Sequence, residues 1–224
     1  MNRWSNQRWL DVTYWLFLTP FVSGLLTRFA TLGAFAMLAL VATRSTLSLG
    51  FWLELPLALL IADFVGYWSH RMRHLRTLWR FHAIHHSATK LDALAAARMH
   101  PVDDVIDNTL VGIALFAAGF SGQVIFAIGP ILFLHIALIH ADVTWDFGVL
   151  RKVLVSPLHH RAHHEVGPGK NFAGMFSFFD VVFATYKEPT GAPHGAGEPI
   201  PESLIAHLAW PFHKRTIDTD IADA

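Results

Sequence analysis

The chain has 224 residues, 53% hydrophobic and only 15% charged. Its mean hydropathy of +0.39 is too apolar for an ordinary soluble domain of this size and points to residence in a membrane. Its 17 basic residues are balanced by 17 acidic ones, so no basic surplus exists to neutralise a run of phosphates and nucleic acid is not expected as a partner. With 0 cysteines there can be no disulfide framework, thiolate zinc site or cysteine-held iron–sulfur cluster.

In chain order, residues 1–21 alternate Trp4, Trp9 and Trp15 with Arg3, Arg8 and Asp11. That pattern predicts a segment lying at the headgroup level, and no signal-peptide cleavage site is evident. Two apolar runs, Val22 to Ala42 and Gly50 to Trp68, each approach the ~20 residues that a hydrocarbon core requires, with a short turn from Arg44 to Gly50 between them. A second pair, Val105 to Phe120 and Val124 to Ile139, meets at Ser121-Gly122-Gln123. The expectation is an all-α membrane fold of about four spans in two hairpins.

An even number of crossings separates the ends of spans two and four, so residues after Trp68 and after His140 emerge on one side. Arg71, Arg73, Arg76, Arg80, Lys90, Arg98, Arg151, Lys152 and Arg161 lie there, which makes that side cytoplasmic. The chain divides as one domain into an interfacial segment 1–21, a first hairpin 22–68, histidine groups at 69–104, a second hairpin 105–140, a third histidine group at 141–187, and a linker with an amphipathic tail at 188–224.

Of 15 histidines, 12 fall between His70 and His164. His70 and His74 stand four apart, and His82, His85, His86 and His160, His163, His164 each take the form HxxHH. Positions i, i+3 and i+4 share one stripe of a helix, so each motif can present three imidazoles to one cavity. These eight exceed the shell of one ion and suit two with open positions. His100 and His140 lie at similar depth and would complete the shells. His159 is read as exposed or as standing behind a ligand, His135 as equally a packed residue or a functional one, and His194, His207 and His213 as solvated.

Imidazole suits Zn, Cu, Fe and Ni. No HExxH protease motif and no Glu-x-x-His of a carboxylate-bridged di-iron bundle occurs, so hydrolysis lacks its usual base and redox chemistry on an apolar substrate is favoured, with iron as the metal and zinc as a substitute in purified protein. Two dications among neutral imidazoles call for carboxylates nearby. Asp63, seven residues before His70, is the first choice. Asp103, Asp142, Glu165 and Asp180 follow.

These residues resemble the fatty acid hydroxylase/sterol desaturase superfamily. The resemblance runs from Asp63 and Tyr67-Trp68 through His70-Arg71, Trp79, His82, His85-His86-Ser87, Met99-His100-Pro101, Asp103, His140, Asp142 and His160 to His163-His164. It ends at Asn171-Phe172 and Phe179-Asp180 to Tyr186. The resemblance implies four transmembrane helices under a cytoplasmic histidine cap, two non-haem irons, O2 as co-substrate, a lipid substrate and electrons from a separate reductase, ferredoxin or cytochrome. Carried over by motif, the metal ligands are His70, His74, His82, His85, His86, His100, His140, His160, His163 and His164, with Asp63 and Asp180 behind them. Ala173, Phe179 and Ala184 depart from the family's usual Gly, Trp and Gly.

Hydroxylation of a fatty acyl or sterol-like C–H bond is the leading expectation. A desaturase or carotenoid-type hydroxylase with the same site is the alternative, and a membrane metal-binding or transport protein is the non-enzymatic one. The chain would reside in the inner membrane of a bacterium or the endoplasmic reticulum of a eukaryote.

Overall fold

The computed structural model describes residues 3–41 and 46–213. The side chains of Arg3 and Trp4, the start of the turn expected at Arg44 and the tail beyond residue 213 lie outside the described residues. Helix α1 (Arg3–Thr13) continues through π-helical turns (Tyr14–Ser23) into α2 (Gly24–Val41). After them come α3 (Phe51–Arg73), α4 (Arg76–His86), α5 (Pro101–Ala117), α6 (Gly122–His140), α7 (Pro157–His163), α8 (Phe178–Val182) and α9 (Leu204–Ala209). No strand occurs among the described residues beyond one isolated bridge between Glu165 and His194.

Three described helical stretches are long and apolar enough to cross a membrane: Asn6–Ala39, Phe51–Arg73 and Gly122–His140. Their outer faces are large and apolar, with Phe29, Met37, Trp52, Phe126 and Leu134 exposed, as lipid contact requires. Between helices the residues become small. Ala58 and Ala62, one turn apart on α3, are buried against Leu115, Phe120, Val124 and Ile128, and small side chains of this kind let helix backbones approach.

The expected fourth span is α5. It has 17 residues, fewer than the other three, and carries Asp103, Asp104 and Asp107 in its first two turns. It packs against α2 and α3.

The N-terminal segment is not a separate surface element. Thr13 and Gly24 both keep right-handed helical dihedrals, so α1, the π turns and α2 form one rod in which the wider turns accommodate Pro20. The 34 residues of Asn6–Ala39 span ~50 Å, well beyond a ~30 Å hydrocarbon core. The surplus turns stand beside α4, where Leu10, Tyr14 and Leu18 pack on Ile84.

α3 runs to Arg73, past the expected boundary at Trp68, and so carries His70 on its last turn. The beginning of α5 and the ends of α3 and α6 meet α4 and α7 at one end of the bundle. The opposite end is closed by Leu47, Phe51, Phe120 and Val124. The segment after α7 is tied down by carboxylates. Asp63 accepts the backbone N–H groups of Gly174, Met175 and Phe176 at 2.7–3.0 Å. Asp180 accepts those of Phe172 and Ala173 and the Thr185 hydroxyl.

α8 ends with Ala184 at φ +56°, the left-handed position where glycine is preferred. Ala184→Gly removes a ~1–2 kcal/mol conformational penalty, offset in part by the greater freedom of an unfolded glycine. The variant is expected to be more stable by roughly 0.5–1 kcal/mol, read as a raised melting temperature in detergent.

Candidate metal centre

The helices present their histidines by turn geometry. In each HxxHH motif, residues i and i+4 lie ~40° apart around the axis, while i+3 falls ~100° from i+4. The structure divides the motifs along that line. His70, His74, His82, His86 and His163 bring one ring nitrogen each within 4.8 Å of one another, and so do His85, His140, His160 and His164. Thus His82 and His86 join the first group while His85 joins the second, and α7 gives His163 to the first and His160 and His164 to the second. The groups abut, with the His86 and His164 ring centroids 4.4 Å apart.

Hydrogen bonds behind the rings fix their tautomers. His70 donates Nδ1–H to the Phe172 carbonyl at 2.8 Å, His163 to Lys170 at 2.7 Å, His140 to Ile136 at 2.8 Å and His85 to Arg98 at 3.2 Å. His82 donates to the Asp103 carboxylate at 2.8 Å. A carbonyl or carboxylate oxygen has no proton to give, so a neutral ring bound this way carries only a lone pair at Nε2.

Those lone pairs face each other. The Nε2 atoms of His70 and His82 lie 3.0 Å apart and those of His85 and His140 3.3 Å apart, with no proton available for either contact. Among the other rings, Nε2 of His74, His86 and His163 is buried without a hydrogen-bond partner. An arrangement that is repulsive between bare rings becomes attractive around a cation. With metal–nitrogen bonds of ~2.0–2.1 Å, neighbouring ligand nitrogens sit ~3.0–3.4 Å apart. The residues therefore fit two ions.

Burial is the first cause of the unusual acidity of these rings. It pushes His163 down to about 4 and holds His74, His82, His85, His86, His160 and His164 well below the ordinary imidazole value. Neutral imidazole is the metal-binding form.

A pH dependence follows. Between about 4 for His163 and the ordinary 6.5, the unfolded chain binds protons that the folded one refuses, so stability is complete above the unfolded value and is lost as pH falls. The metal-free protein is expected to melt at a progressively lower temperature from pH 7 to pH 5. An apo melting curve unchanged across that window would show the rings are not buried neutral.

Several expectations for single residues are corrected. His100 lies outside both groups. It caps α5, accepting the Val102 N–H at Nδ1, and its Nε2 faces the Leu208 carbonyl at 3.3 Å, because Pro101 starts the helix and turns the ring toward α9. Asp63 touches no ligand ring. Seven residues before His70, it sits ~10 Å deeper along the helix and binds backbone amides instead. Asp180 meets His159, which lies outside both groups, at 3.0 Å and no ligand ring. The carboxylate behind a ligand is Asp103, which also binds Arg73 at 3.3 Å.

Glu165 is taken up by Lys187, Thr190 and Gly191, and Asp142 by Arg161. His207 is not solvated, since it is buried with Nδ1 3.0 Å from the Tyr14 hydroxyl. Beside the first group a cavity of about 10 Å³ is lined by His74, Trp79, His86, His163, Gly169 and Gly195, room for a water-sized molecule. Gly169 is needed there, as a Cβ would stand 2.7 Å from His74 Nδ1.

Residues 55–185 match the fatty acid hydroxylase family, which covers every ring of both groups. Among curated proteins, ornithine lipid hydroxylase OlsE of Rhizobium tropici is 30% identical over 72% of this chain and 51% of its own length. Alkylglycerol monooxygenase of Danio rerio is 31% identical over 60% of this chain and 32% of its own. Delta(7)-sterol 5(6)-desaturase ERG3A of Gibberella zeae is 28% identical over 62% and 40%. The chain thus spans about half or less of the length of these relatives. No solved structure matches it.

Proposed function

The chain belongs to the fatty acid hydroxylase family, and on that footing we propose that it is a membrane-bound oxidoreductase that uses two non-haem iron ions and O2 to hydroxylate a C–H bond of a lipid. The observation that carries this reading is the convergence of nine rings, from α3, α4, α6 and α7 and the C-caps of α3 and α7, into two abutting groups in which five rings are held with an unprotonated nitrogen facing inward. His70, His74, His82, His86 and His163 would hold one ion, and His85, His140, His160 and His164 the other. Iron held there supplies the one-electron chemistry that joins O2 to a C–H bond.

The chain's own residues supply orientation and exclusion. Asp103 and the carbonyls of Arg98, Ile136, Lys170 and Phe172 lock the rings in the ligating tautomer, which also leaves those five rings without an acidic proton toward the chamber. As the donor's electrons reduce the second oxygen atom, the two protons that complete the water would enter from solvent, and the small glycine-lined cavity beside His74 and His163 has the size for water or O2 and not for an acyl chain. The lipid would arrive from the bilayer along α3 and α6, at whose ends the rings stand. Electrons come from an external reductase, ferredoxin or cytochrome, since no dinucleotide fingerprint follows a strand in this chain.

In the same reading α5 is a fourth, short crossing and the histidine cap is cytoplasmic, supported by Arg71, Arg76, Arg80, Lys90, Arg151, Lys152 and Arg161 at that end. The sterol desaturase relative supports desaturation as a second outcome of the same first step. A transport function is disfavoured because the rings gather at one end of the bundle and do not line a path across it.

The test is iron quantification on anaerobically purified protein together with lipid profiling of cells that gain or lose the gene. Two irons per chain with a lipid that gains one oxygen atom is the expected result. Loss of two hydrogen atoms would turn the reading to desaturation, and an iron-free protein with an unchanged lipid profile would end it.

A further inference from the structure

The family match begins at residue 55, so α1 and the π-helical turns lie outside it, yet they hold a segment on which one ring of the metal centre depends. Residues 94–98, between α4 and α5, receive three polar contacts from that rod. Trp15 donates Nε1–H to the Leu94 carbonyl at 2.7 Å, the Thr19 hydroxyl donates to the Ala97 carbonyl at 3.4 Å, and Asp11 accepts from Nε of Arg98 at 2.6 Å. Arg98 joins this brace to the centre. Its Nη1 donates to Ser87 Oγ at 3.3 Å, just after His86 at the end of α4, and its carbonyl accepts Nδ1–H of His85 at 3.2 Å.

The Arg98 and Asp11 side chains are 1% and 5% exposed. A pair so dehydrated is held by its geometry, and removing one partner strands the other charge in a low-dielectric setting. The rings of His70, His140 and His163 take their hydrogen bonds from α6 itself or from residues 170–172, which the N-terminal rod does not fix. The one ring whose own hydrogen bond is made to the braced segment is therefore His85, a member of the second group.

We infer that Asp11 is a positioning residue for the site formed by His85, His140, His160 and His164: through Arg98 it fixes the carbonyl that orients the His85 ring and keeps Nε2 unprotonated toward the ion. This rests on the proposal that the two groups hold metal. Changes behind a ligand typically cost 10–100-fold in metal affinity, and here the loss should be confined to one of the two sites.

The experiment is an anaerobic titration of the full-length, detergent-solubilised protein with Co(II), followed by its visible absorption. His74→Ala and His164→Ala assign the bands of the first and second sites. Asp11→Asn is expected to weaken the second site by about 10–100-fold and leave the first within about twofold, whereas a merely structural role would lower both together. Equal loss at both sites, or no loss at either, overturns the inference. Should Asp11→Asn fail to fold, Trp15→Phe, which removes one N–H and little volume, is expected to weaken the second site selectively by a smaller factor, and unchanged affinity at both sites in that variant overturns it equally. Absence of Co(II) binding by the wild type would sink the metal-centre reading itself and this inference with it, an outcome distinct from two intact sites in Asp11→Asn.

Discussion

His163→Ala and His86→Ala are each expected to abolish turnover, by more than about 100-fold, beyond the range seen when only a residue behind a ligand is changed, while the protein still inserts in the membrane. Both residues give the first group a ring nitrogen, and both have a buried Nε2 with no protein partner. In the metal-loaded protein the substitution removes a bond to the ion, so metal content should fall and the melting temperature with it. In the metal-free protein the buried, unsatisfied Nε2 offsets part of the cost of the cavity that its loss leaves, so the fall in melting temperature should be smaller than in the loaded protein. A packed core histidine would instead cost the same stability with or without metal. The decisive measurements are metal per chain and melting temperature in both forms. Full turnover and full metal content in both variants would remove these rings from the centre.

The rings were legible because spacing on a helix translates directly into direction. His70 and His74, and the two HxxHH motifs, sit where helical turns bring imidazoles to one end of the bundle, and 224 residues with 15 histidines and no cysteine leave few other chemistries. What spacing alone left open was the division between the ions, which depends on where α4 and α7 sit relative to α3 and α6. His100 misled because sequence gives its depth but not the direction of a ring that precedes Pro101 and caps a helix. Asp63 misled in the same way, since a shared helical face says nothing of the ~10 Å of rise between a carboxylate and a ring.

The continuous N-terminal rod was hidden by Pro20 and by the Trp and Arg residues around it, which read as an interfacial break. The signal that could have revealed it is the Leu10, Tyr14, Leu18 stripe at four-residue spacing, buried against Ile84. The pairing of Asp11 with Arg98, across 87 positions, could not be read from one sequence, because only the tertiary fold brings the two together. α5 shows the remaining ambiguity, as its Asp103 and Asp107 bind Arg73 at one end while its apolar face packs against α2 and α3.

Asp103→Asn should separate the carboxylate's two tasks. Asp103 is 1% exposed and its Oδ2 accepts from both His82 Nδ1 at 2.8 Å and Arg73 Nη1 at 3.3 Å. An amide at this position keeps the volume but loses the charge, and if its NH2 faces His82 it must donate to Nδ1. The ring proton then moves to Nε2, the atom that faces His70 Nε2 at 3.0 Å, and a protonated nitrogen cannot bind an ion. Affinity at the first site should fall by about 10–100-fold, with the second site unchanged because none of its rings touches Asp103. Asp103→Ala should add a folding defect of about 3–5 kcal/mol by leaving Arg73 short of a buried partner, moderated by the half-buried Asp107, which still accepts from Arg73 at 3.1 Å. Metal titration and denaturant unfolding of the two variants read the tasks separately. Wild-type affinity at the first site in both would mean that His82 holds its tautomer without the carboxylate and that Asp103 serves only to pair Arg73.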